Sequence, residues 1–247
     1  MPGRVCKPRA CIDAGAKLSG GMSQPILVFD LDGTLIDTAP DLLDALNHAL
    51  ATAGADAVDP VAHRPHVGMG GRVMIERAYQ AQRRPLEDAQ LQALLATFLE
   101  HYTGSMPGRS QPFPGVLDVM ARFRAAGWLL AICTNKYEAL ATGLMSALRL
   151  DGEFAAICGA DTFDVRKPDP RHLTETIRVA GGDRDRAVMV GDSRTDIDTA
   201  KAAGIPVVAV DFGYSDRHVR EFEPSVVISS YETLTVDLAE RLLGDSA

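Results

Sequence analysis

The sequence contains few cysteines. Its 247 residues include only Cys6, Cys11, Cys133 and Cys158, with no CxxC pair and no metal-binding spacing among them. Disulfide-rich frameworks belong to small secreted domains, whereas cytoplasmic proteins keep their thiols reduced. We therefore expect a cytoplasmic protein. Cys133 and Cys158 each end an apolar run and are predicted to be buried thiols.

Long apolar runs are also missing. Runs such as residues 128–133 are far shorter than the roughly 20 apolar residues that a membrane-spanning helix needs. The chain shows no internal repeat and no low-complexity segment. We expect no membrane-spanning helix.

Basic side chains are outnumbered. The chain has 25 Lys and Arg residues against 33 Asp and Glu residues, a formal net charge of −8. This excess argues against nucleic acid or an anionic membrane as the main partner. A small anionic substrate stays compatible, because a metal ion and a few local donors can reverse the field inside one pocket.

Residues 1–21 differ from the rest of the chain. They carry four basic side chains and one acidic one, and they lack the apolar core of a signal peptide. We expect a disordered extension, or an upstream start codon with Met22 as the natural first residue.

Short apolar runs recur through the rest of the chain. The runs predicted to be buried strands span residues 26–30, 128–133, 154–158, 187–190, 206–210 and 225–228. Helical patterns separate most of them, at residues 116–126, 138–148, 170–180 and 195–203. This alternation predicts an α/β fold with a Rossmann-like, mostly parallel sheet, whose functional site lies beyond the carboxyl ends of the strands.

The stretch at residues 38–112 contains no convincing strand. Thr38 with Asp41 three residues later predicts a capping box at a helix N-terminus. Apolar side chains then recur at helical spacing, and the predicted buried faces are Leu42, Leu43, Leu46, Ala49 and Leu50, and later Leu91, Leu94, Leu95, Phe98, Leu99 and Tyr102. We predict a helical cap at residues 38–112, inserted into a core formed by residues 22–37 and 113–247.

Two carboxylates follow the first predicted strand. Asp30 and Asp32 stand in the run Asp-Leu-Asp-Gly-Thr-Leu, where Gly33 permits a tight turn that brings both to one point. Carboxylates this close repel each other unless a cation or a proton resolves the repulsion. The pattern therefore predicts a functional site at the mouth of this strand.

Further polar groups follow later predicted strands. Thr134 and Asn135 offer a hydroxyl and an amide suited to phosphate oxygens, and Lys167 precedes a proline-containing turn that fixes its ammonium. Asp192 and Asp196 are one helical turn apart, near enough to act together. Their order, each at the carboxyl end of a strand, predicts that they converge on one site.

These motifs resemble those of the haloacid dehalogenase superfamily of hydrolases. The matching segments are residues 30–35, Thr134-Asn135, Lys167-Pro168 and residues 191–196. Within that superfamily the chain most resembles the phosphoglycolate phosphatase subfamily, through residues 32–47, 67–78, 160–170 and 190–204. The resemblance implies a phosphatase whose substrate is a small phosphorylated metabolite, with 2-phosphoglycolate as the expected substrate.

The resemblance also implies roles for individual residues. Asp30 would be the nucleophile that forms an aspartyl phosphate, and Asp32 would be the general acid and base. Mg²⁺ would be held by Asp30, Asp192 and the backbone carbonyl of Asp32, with Asp196 binding or orienting the ligand sphere. Lys167 would neutralise the phosphoryl group.

Phosphate contacts and a mobile cap complete the implied site. Thr134 and Asn135 would place the phosphoryl oxygens, and the cap would close over the site to exclude water. Gly70, Gly71 and Arg72 in the cap are the candidates for reading a substrate carboxylate. The alternative is that the glycines form a plain turn before a helix that begins near Arg72.

Other functions stay open from the sequence. The substrate could be a sugar phosphate, a nucleotide or pyrophosphate, or the protein could be a sugar phosphomutase. A catalytically silent binding or regulatory protein is a more remote alternative. Phosphonate-cleaving members of the superfamily use a lysine of the cap to form an imine. This activity is excluded because the predicted cap, residues 38–112, contains no lysine. We expect a monomer or homodimer. We assign no histidine to catalysis, and His66, near the glycine-containing segment of the cap, is the only histidine that we single out for testing.

Overall fold

The computed structural model describes residues 24–244. The predicted extension at residues 1–21 and the alternative start at Met22 lie outside the described residues. The described strands are β1 Gln24–Phe29, β2 Ile36–Asp37, β3 Gln111–Pro112, β4 Leu129–Cys133, β5 Ala156–Cys158, β6 Gly182–Gly191, β7 Val207–Val210 and β8 Val226–Ile228. The described α-helices are α1 Ala39–Thr52, α2 Pro60–His63, α3 Gly71–Ala81, α4 Asp88–Ser105, α5 Val116–Ala125, α6 Glu138–Ala147, α7 Pro170–Ala180, α8 Arg194–Ala203 and α9 Val236–Gly244.

Six strands form one parallel sheet. Their order is β5-β4-β1-β6-β7-β8, and every neighbouring pair is parallel. In this register Phe29 of β1 lies opposite Ile132 of β4 and Val190 of β6. The chain proceeds from β1 to β4 on one side and later to β6 on the other, so β1 marks the point where the strand order reverses. The predicted α/β fold is confirmed.

Both faces of the sheet are covered. Leu27 and Phe29 of β1 pack in the cluster that contains buried side chains of α5 and α6. Ile26 and Val28 point the other way, into a second cluster with α7 and α8. A parallel strand buried on both faces needs an unbroken apolar run rather than an alternating one. This explains why β1 was recognisable in the sequence.

The stretch from α1 to α4 is inserted between β2 and β3. These two short strands pair antiparallel, with Ile36 opposite Pro112 and Asp37 opposite Gln111. Between them the structure describes four α-helices, α1 to α4, and a 3₁₀ helix, Arg64–Met69, but no strand. The predicted segment is therefore mainly helical from Ala39 to Ser105, but its last two residues, Gln111 and Pro112, form β3. Its boundaries as a domain and its movement as a separate cap stay predictions.

The predicted capping box at α1 is wrong. Thr38 is the N-cap residue, but its hydroxyl makes no capping bond and donates instead to Asp32 Oδ1, at 2.7 Å. The Asp41 carboxylate accepts hydrogen bonds from the backbone N–H groups of Arg109 and Ser110 and from the Ser110 hydroxyl. Both side chains bond to partners outside the first turn of α1, and those of Asp41 are 68 and 69 residues away in sequence, which a local pattern cannot reveal.

Two further sequence predictions concern burial and membranes. Cys133 and Cys158 are free thiols, and both are buried, as predicted. Among the described residues, no helix is long and apolar enough to cross a membrane. The sequence patterns did not predict β2, β3 or α9.

Candidate active site

Asp30 lies at the carboxyl end of β1, in the middle of the sheet. Its N–H donates to the Val190 carbonyl oxygen at 2.9 Å, which continues the ladder between β1 and β6. Its Oδ1 accepts from the Leu31 N–H at 2.7 Å, so the carboxylate is held against its own backbone. This is the edge and the reversal point at which sheets of this kind place ligands.

Gly33 makes the turn after Asp30 possible. Its φ of +85° is unfavourable for other residues, and a Cβ at this position would lie 2.4 Å from Asp192 Oδ2. The next residue, Thr34, donates its hydroxyl to Asp192 Oδ1 at 2.8 Å. The turn therefore packs directly against the second acidic motif.

Three carboxylates converge beyond the strand ends. Asp30, Asp192 and Asp196 each offer an oxygen within 4.8 Å of the others. Burial, together with the neighbouring Asp196 carboxylate, raises the pKa of both Asp30 and Asp192 above the usual value. A compact set of oxygen donors that repel one another suits a hard divalent cation. The structure thus provides an acidic group that could bind a metal, and the Asp32 carboxylate is not part of it.

Backbone and hydroxyl donors fix two of these carboxylates. Asp192 Oδ2 accepts from the Tyr214 N–H at 2.7 Å. Asp196 Oδ2 accepts from the Ser193 hydroxyl at 2.6 Å in a capping box at the start of α8. The side chains are therefore oriented before any ligand binds.

The Lys167 ammonium lies within the acidic cluster. Its Nζ is 3.0 Å from Asp30 Oδ1 and 2.6 Å from Asp196 Oδ1. Burial alone would lower the pKa of Lys167, but the Asp196 and Asp30 carboxylates outweigh burial and hold that pKa above its usual value. The lysine is therefore charged and positioned beside the predicted nucleophile, Asp30.

His172 supports Lys167, and sequence reasoning missed it. Its Nδ1 accepts from the Lys167 N–H at 3.2 Å, and its Nε2 lies 3.0 Å from the Gly159 carbonyl oxygen. This arrangement requires the neutral tautomer with the proton on Nε2. The pattern held no signal for this role beyond the five-residue spacing from Lys167.

Thr134 and Asn135 follow β4, and some of their polar atoms already form hydrogen bonds within the protein. The Thr134 N–H donates to the Cys158 carbonyl oxygen at 3.0 Å, and the Thr134 hydroxyl oxygen accepts from the Lys136 N–H at 3.2 Å. The Asn135 amide donates to the Lys167 carbonyl oxygen at 3.0 Å. Asn135 therefore helps to hold the Lys167 turn, and phosphate binding by Thr134 and Asn135 stays a prediction.

Asp32 lies beside the acidic cluster with a different set of partners. Its carboxylate accepts from the Thr38 hydroxyl at 2.7 Å and from Lys136 Nζ at 3.0 and 3.2 Å. Lys136 was not singled out from the sequence, although it directly follows Thr134-Asn135. Its position in that motif was the signal that could have identified it.

Comparison with known proteins decides the family. Residues 27–210 match the family model of the haloacid dehalogenase-like hydrolases. The chain belongs to this family.

Relatives of known name are similar over nearly their whole length. A phosphoglycolate phosphatase of Mesorhizobium japonicum is 69% identical over 222 residues, covering 90% of this chain and 98% of the relative. A phosphoglycolate phosphatase of Agrobacterium fabrum is 47% identical over 225 residues, covering 90% and 96%. The resemblance predicted from the motifs, and with it an enzyme of the phosphatase type, is confirmed.

A solved structure shares the fold. The crystal structure of CbbY from Rhodobacter sphaeroides, in complex with phosphate, is 24% identical and has a TM-score of 0.74, covering 89% of this chain and 100% of the other. At this identity the likeness supports the haloacid dehalogenase-like fold alone.

The residues predicted to read substrate have partners within the helical segment of this haloacid dehalogenase-like hydrolase. Arg72 is half exposed and pairs with Glu76 at 3.0 Å and with Asp88 at 4.0 Å. Gly71 packs so close to Phe98 that a Cβ would lie 2.7 Å from the ring, and Gly70 begins α3 with a φ of +86°. Packing and helix geometry account for both glycines, and substrate contact by all three residues stays a prediction.

Proposed function

We propose that this hydrolase cleaves 2-phosphoglycolate to glycolate and inorganic phosphate, with Mg²⁺ as its cofactor. The named relatives support the substrate, because two phosphoglycolate phosphatases match nine-tenths of the chain at 69% and 47% identity. The observation that carries the proposal is the placement of Asp30 at the end of β1, in contact with the Lys167 ammonium and close to the carboxylates of Asp192 and Asp196.

The proposed metal ligands are the three converging carboxylates. Asp30 and Asp192 would hold Mg²⁺ with the backbone carbonyl of Asp32, and Asp196 would bind or orient the ligand sphere. The support is the donor set, which is all oxygen and is electrostatically unfavourable without a cation. When bound, the ion would neutralise charge on the phosphoryl group.

Asp30 is proposed as the nucleophile. A carboxylate oxygen would attack phosphorus, forming an aspartyl phosphate as the bond from phosphorus to the ester oxygen breaks. Contacts with Leu31 N–H and Lys167 hold Asp30 Oδ1, so the orientation of the carboxylate is set before substrate binds. Lys167 would balance negative charge on the phosphoryl oxygens, and Thr134 and Asn135 would line the same pocket.

Asp32 is proposed as the general acid and base. Protonated Asp32 would give its proton to the ester oxygen as that oxygen leaves, which releases neutral hydroxyl on glycolate. The resulting carboxylate would then take a proton from the water that attacks phosphorus in the aspartyl phosphate. This second step releases phosphate and restores both Asp30 and the protonated Asp32.

A substrate screen tests the proposal. Purified protein with Mg²⁺ should release phosphate from 2-phosphoglycolate with a higher kcat/KM than from sugar phosphates, nucleotides, pyrophosphate or ethyl phosphate. Chelation should abolish the activity, and Mg²⁺ should restore it. Preference for another phosphate ester would overturn the substrate while retaining the phosphatase, and full turnover in excess chelator would overturn the metal.

Two further expectations stay predictions. The cytoplasmic location and a monomeric or homodimeric state rest on the sequence, with the free thiols of Cys133 and Cys158 compatible with a reducing compartment. The expected partner is the small phosphorylated metabolite alone, with no nucleic acid and no membrane.

A further inference from the structure

Lys136 places a second buried ammonium at the site. It follows Thr134-Asn135 after β4, its side chain is only 6% exposed, and its Nζ lies 3.0 Å from Asp32 Oδ1. Burial alone would lower the pKa of Lys136, but the Asp32 carboxylate outweighs burial and holds that pKa above its usual value. The 3.0 Å ion pair with Asp32 places a buried ammonium beside the predicted general acid, and no step of the proposed mechanism uses it.

The helical cap covers this ammonium. Lys136 Nζ lies 4.6 Å from the centre of the Tyr102 ring, and Tyr102 belongs to α4. Tyr102 is itself buried, so its aromatic face shields the ammonium from water. An ammonium that is shielded from water attracts an incoming anion more strongly than a solvated lysine does, because the local dielectric is lower.

The two buried lysines pair with carboxylates that have different proposed roles. Lys167 is bound to Asp30 and Asp196, on the side where the phosphoryl group would sit. Lys136 is bound to Asp32, on the side where the leaving group would sit. The positive charge is thus divided between the phosphate end and the leaving-group end.

We propose that Lys136 binds the carboxylate of the leaving group and is the residue that selects a substrate with an anion next to the ester oxygen. This inference rests on the proposed function, and it names the part of the site that recognises glycolate. Arg72, the candidate from the sequence, contacts Glu76 inside the cap instead.

The distances allow this contact. A general acid lies about 3 Å from the oxygen that it protonates, and Lys136 Nζ lies 3.0 Å from the same Asp32 carboxylate. In 2-phosphoglycolate the carboxylate carbon is two bonds from the ester oxygen. An ester oxygen at Asp32 therefore brings the substrate carboxylate within reach of Lys136, which has donors for both Asp32 and the substrate.

Paired substrates test the inference. Lys136→Met and the control Lys201→Met, which removes a surface lysine paired with Glu223, would each be assayed with 2-phosphoglycolate and ethyl phosphate. Lys136→Met should raise KM for 2-phosphoglycolate about tenfold or more, the loss expected for a charged hydrogen bond. KM for ethyl phosphate should change less than about threefold, so the preference of the wild type for 2-phosphoglycolate falls. Lys201→Met should retain it.

Further variants keep the test decisive. Lys136→Arg should recover part of the preference because it retains the charge. If Lys136→Met does not fold, Lys136→Gln carries the same expectation, since it removes the charge but keeps a donor for Asp32.

Three outcomes would overturn the inference. An unchanged preference in the neutral variants would show that another group reads the carboxylate, and the proposed function would survive. Equal losses on both substrates would show that Lys136 acts only through Asp32. A wild type that does not prefer 2-phosphoglycolate to ethyl phosphate would overturn the proposed function and this inference together.

Discussion

At the scale of single residues, the site is built from charges that are unfavourable one by one. Asp30 and Asp192 are buried beside a further carboxylate, Asp196, and Lys167 offsets only part of the repulsion. Such a cluster costs stability in the metal-free protein, because buried like charges repel one another strongly. Function rather than folding explains its presence.

Asp30→Asn should abolish turnover without unfolding the protein. The amide keeps an oxygen for the Leu31 N–H but is a poor nucleophile and a weak metal ligand. We expect kcat for 2-phosphoglycolate to fall by about three orders of magnitude or more, with an unchanged circular dichroism spectrum. Retention of more than about a tenth of wild-type activity would contradict the assignment of Asp30 as nucleophile.

Asp192→Asn should stabilise the metal-free protein while weakening its binding of Mg²⁺. Burial and the Asp196 and Asp30 carboxylates raise the pKa of Asp192, so its ionisation destabilises the fold as pH rises through that pKa. We expect the metal-free variant to melt a few degrees higher than wild type, roughly what 1 kcal/mol gives in a chain of this size.

The same variant should lose the stabilisation that Mg²⁺ gives to wild type. Thermal melts with chelator and with Mg²⁺ would measure both effects. Without metal, the melting temperature of the variant should exceed that of wild type by more at pH 9 than at pH 6. A full Mg²⁺-dependent shift in the variant would exclude Asp192 as a ligand.

At the scale of elements, the insertion of the helical segment depends on contacts between its two ends. The start of α1 and the return to β3 are held together by the Asp41 carboxylate, which accepts from Arg109 N–H, Ser110 N–H and the Ser110 hydroxyl. Because Asp41 is buried, these bonds replace water that the carboxylate gave up on folding. This contact holds together the two chain segments that connect the helical segment to the rest of the protein.

Asp41→Ala should destabilise the protein by about 2–4 kcal/mol, because it leaves buried donors unsatisfied. Urea unfolding would measure the loss. Asp44→Ala is a matched control on the same helix, since Asp44 is largely exposed and pairs with His101. The control should lose less than about 1 kcal/mol. Equal losses in both variants would show that the Asp41 contact does not hold this junction.

At the scale of the whole molecule, global stability is linked to a buried histidine. His172 lies in the first turn of α7, between the Lys167 N–H and the carbonyl oxygen of Gly159, with hydrogen bonds that require its neutral form. Burial, and next the positive charge of Lys167, lowers the pKa of His172 to about 4. In the unfolded chain the pKa of this histidine is ordinary, so its side chain is protonated at a higher pH than in the folded protein.

The contribution of His172 to the free energy of unfolding should therefore be fully present above about pH 6.5. It should decrease as the pH falls toward 4, with a total loss of up to about 3 kcal/mol. Other groups also titrate in this window, so the comparison is with His172→Asn. That variant should be less stable than wild type at pH 7, and the gap in unfolding free energy should narrow by pH 5. A gap that stays constant with pH would contradict the buried neutral histidine.

Much of the fold was predictable because it depends on local patterns. The apolar runs at β1, β4 and β7 are unbroken since both faces of the sheet are buried, and α7 and α8 carry clear helical periodicity. The short strands β2 and β3 were not predictable, because two residues each carry no periodicity. Their pairing exists only because the ends of the helical segment meet.

The sequence by itself determined the order of the motifs and the edge of the sheet at which they gather. Asp30, Lys167 and Asp192 each follow a predicted strand or its turn, and parallel strands bring such positions to one edge. The family resemblance followed from the same motifs.

Only the tertiary structure decided which side chains pair within that edge. Lys136 contacts Asp32 and the ring of Tyr102, and the backbone N–H of Lys167 donates to His172. The Thr38 hydroxyl donates to Asp32 instead of capping α1. The contacts of Lys136 with Asp32 and Tyr102 join residues far apart in the chain, and the free energy that selects them comes from burying and pairing charges in three dimensions. No local pattern encodes that choice, because each of these residues would be an ordinary surface or capping residue in another fold.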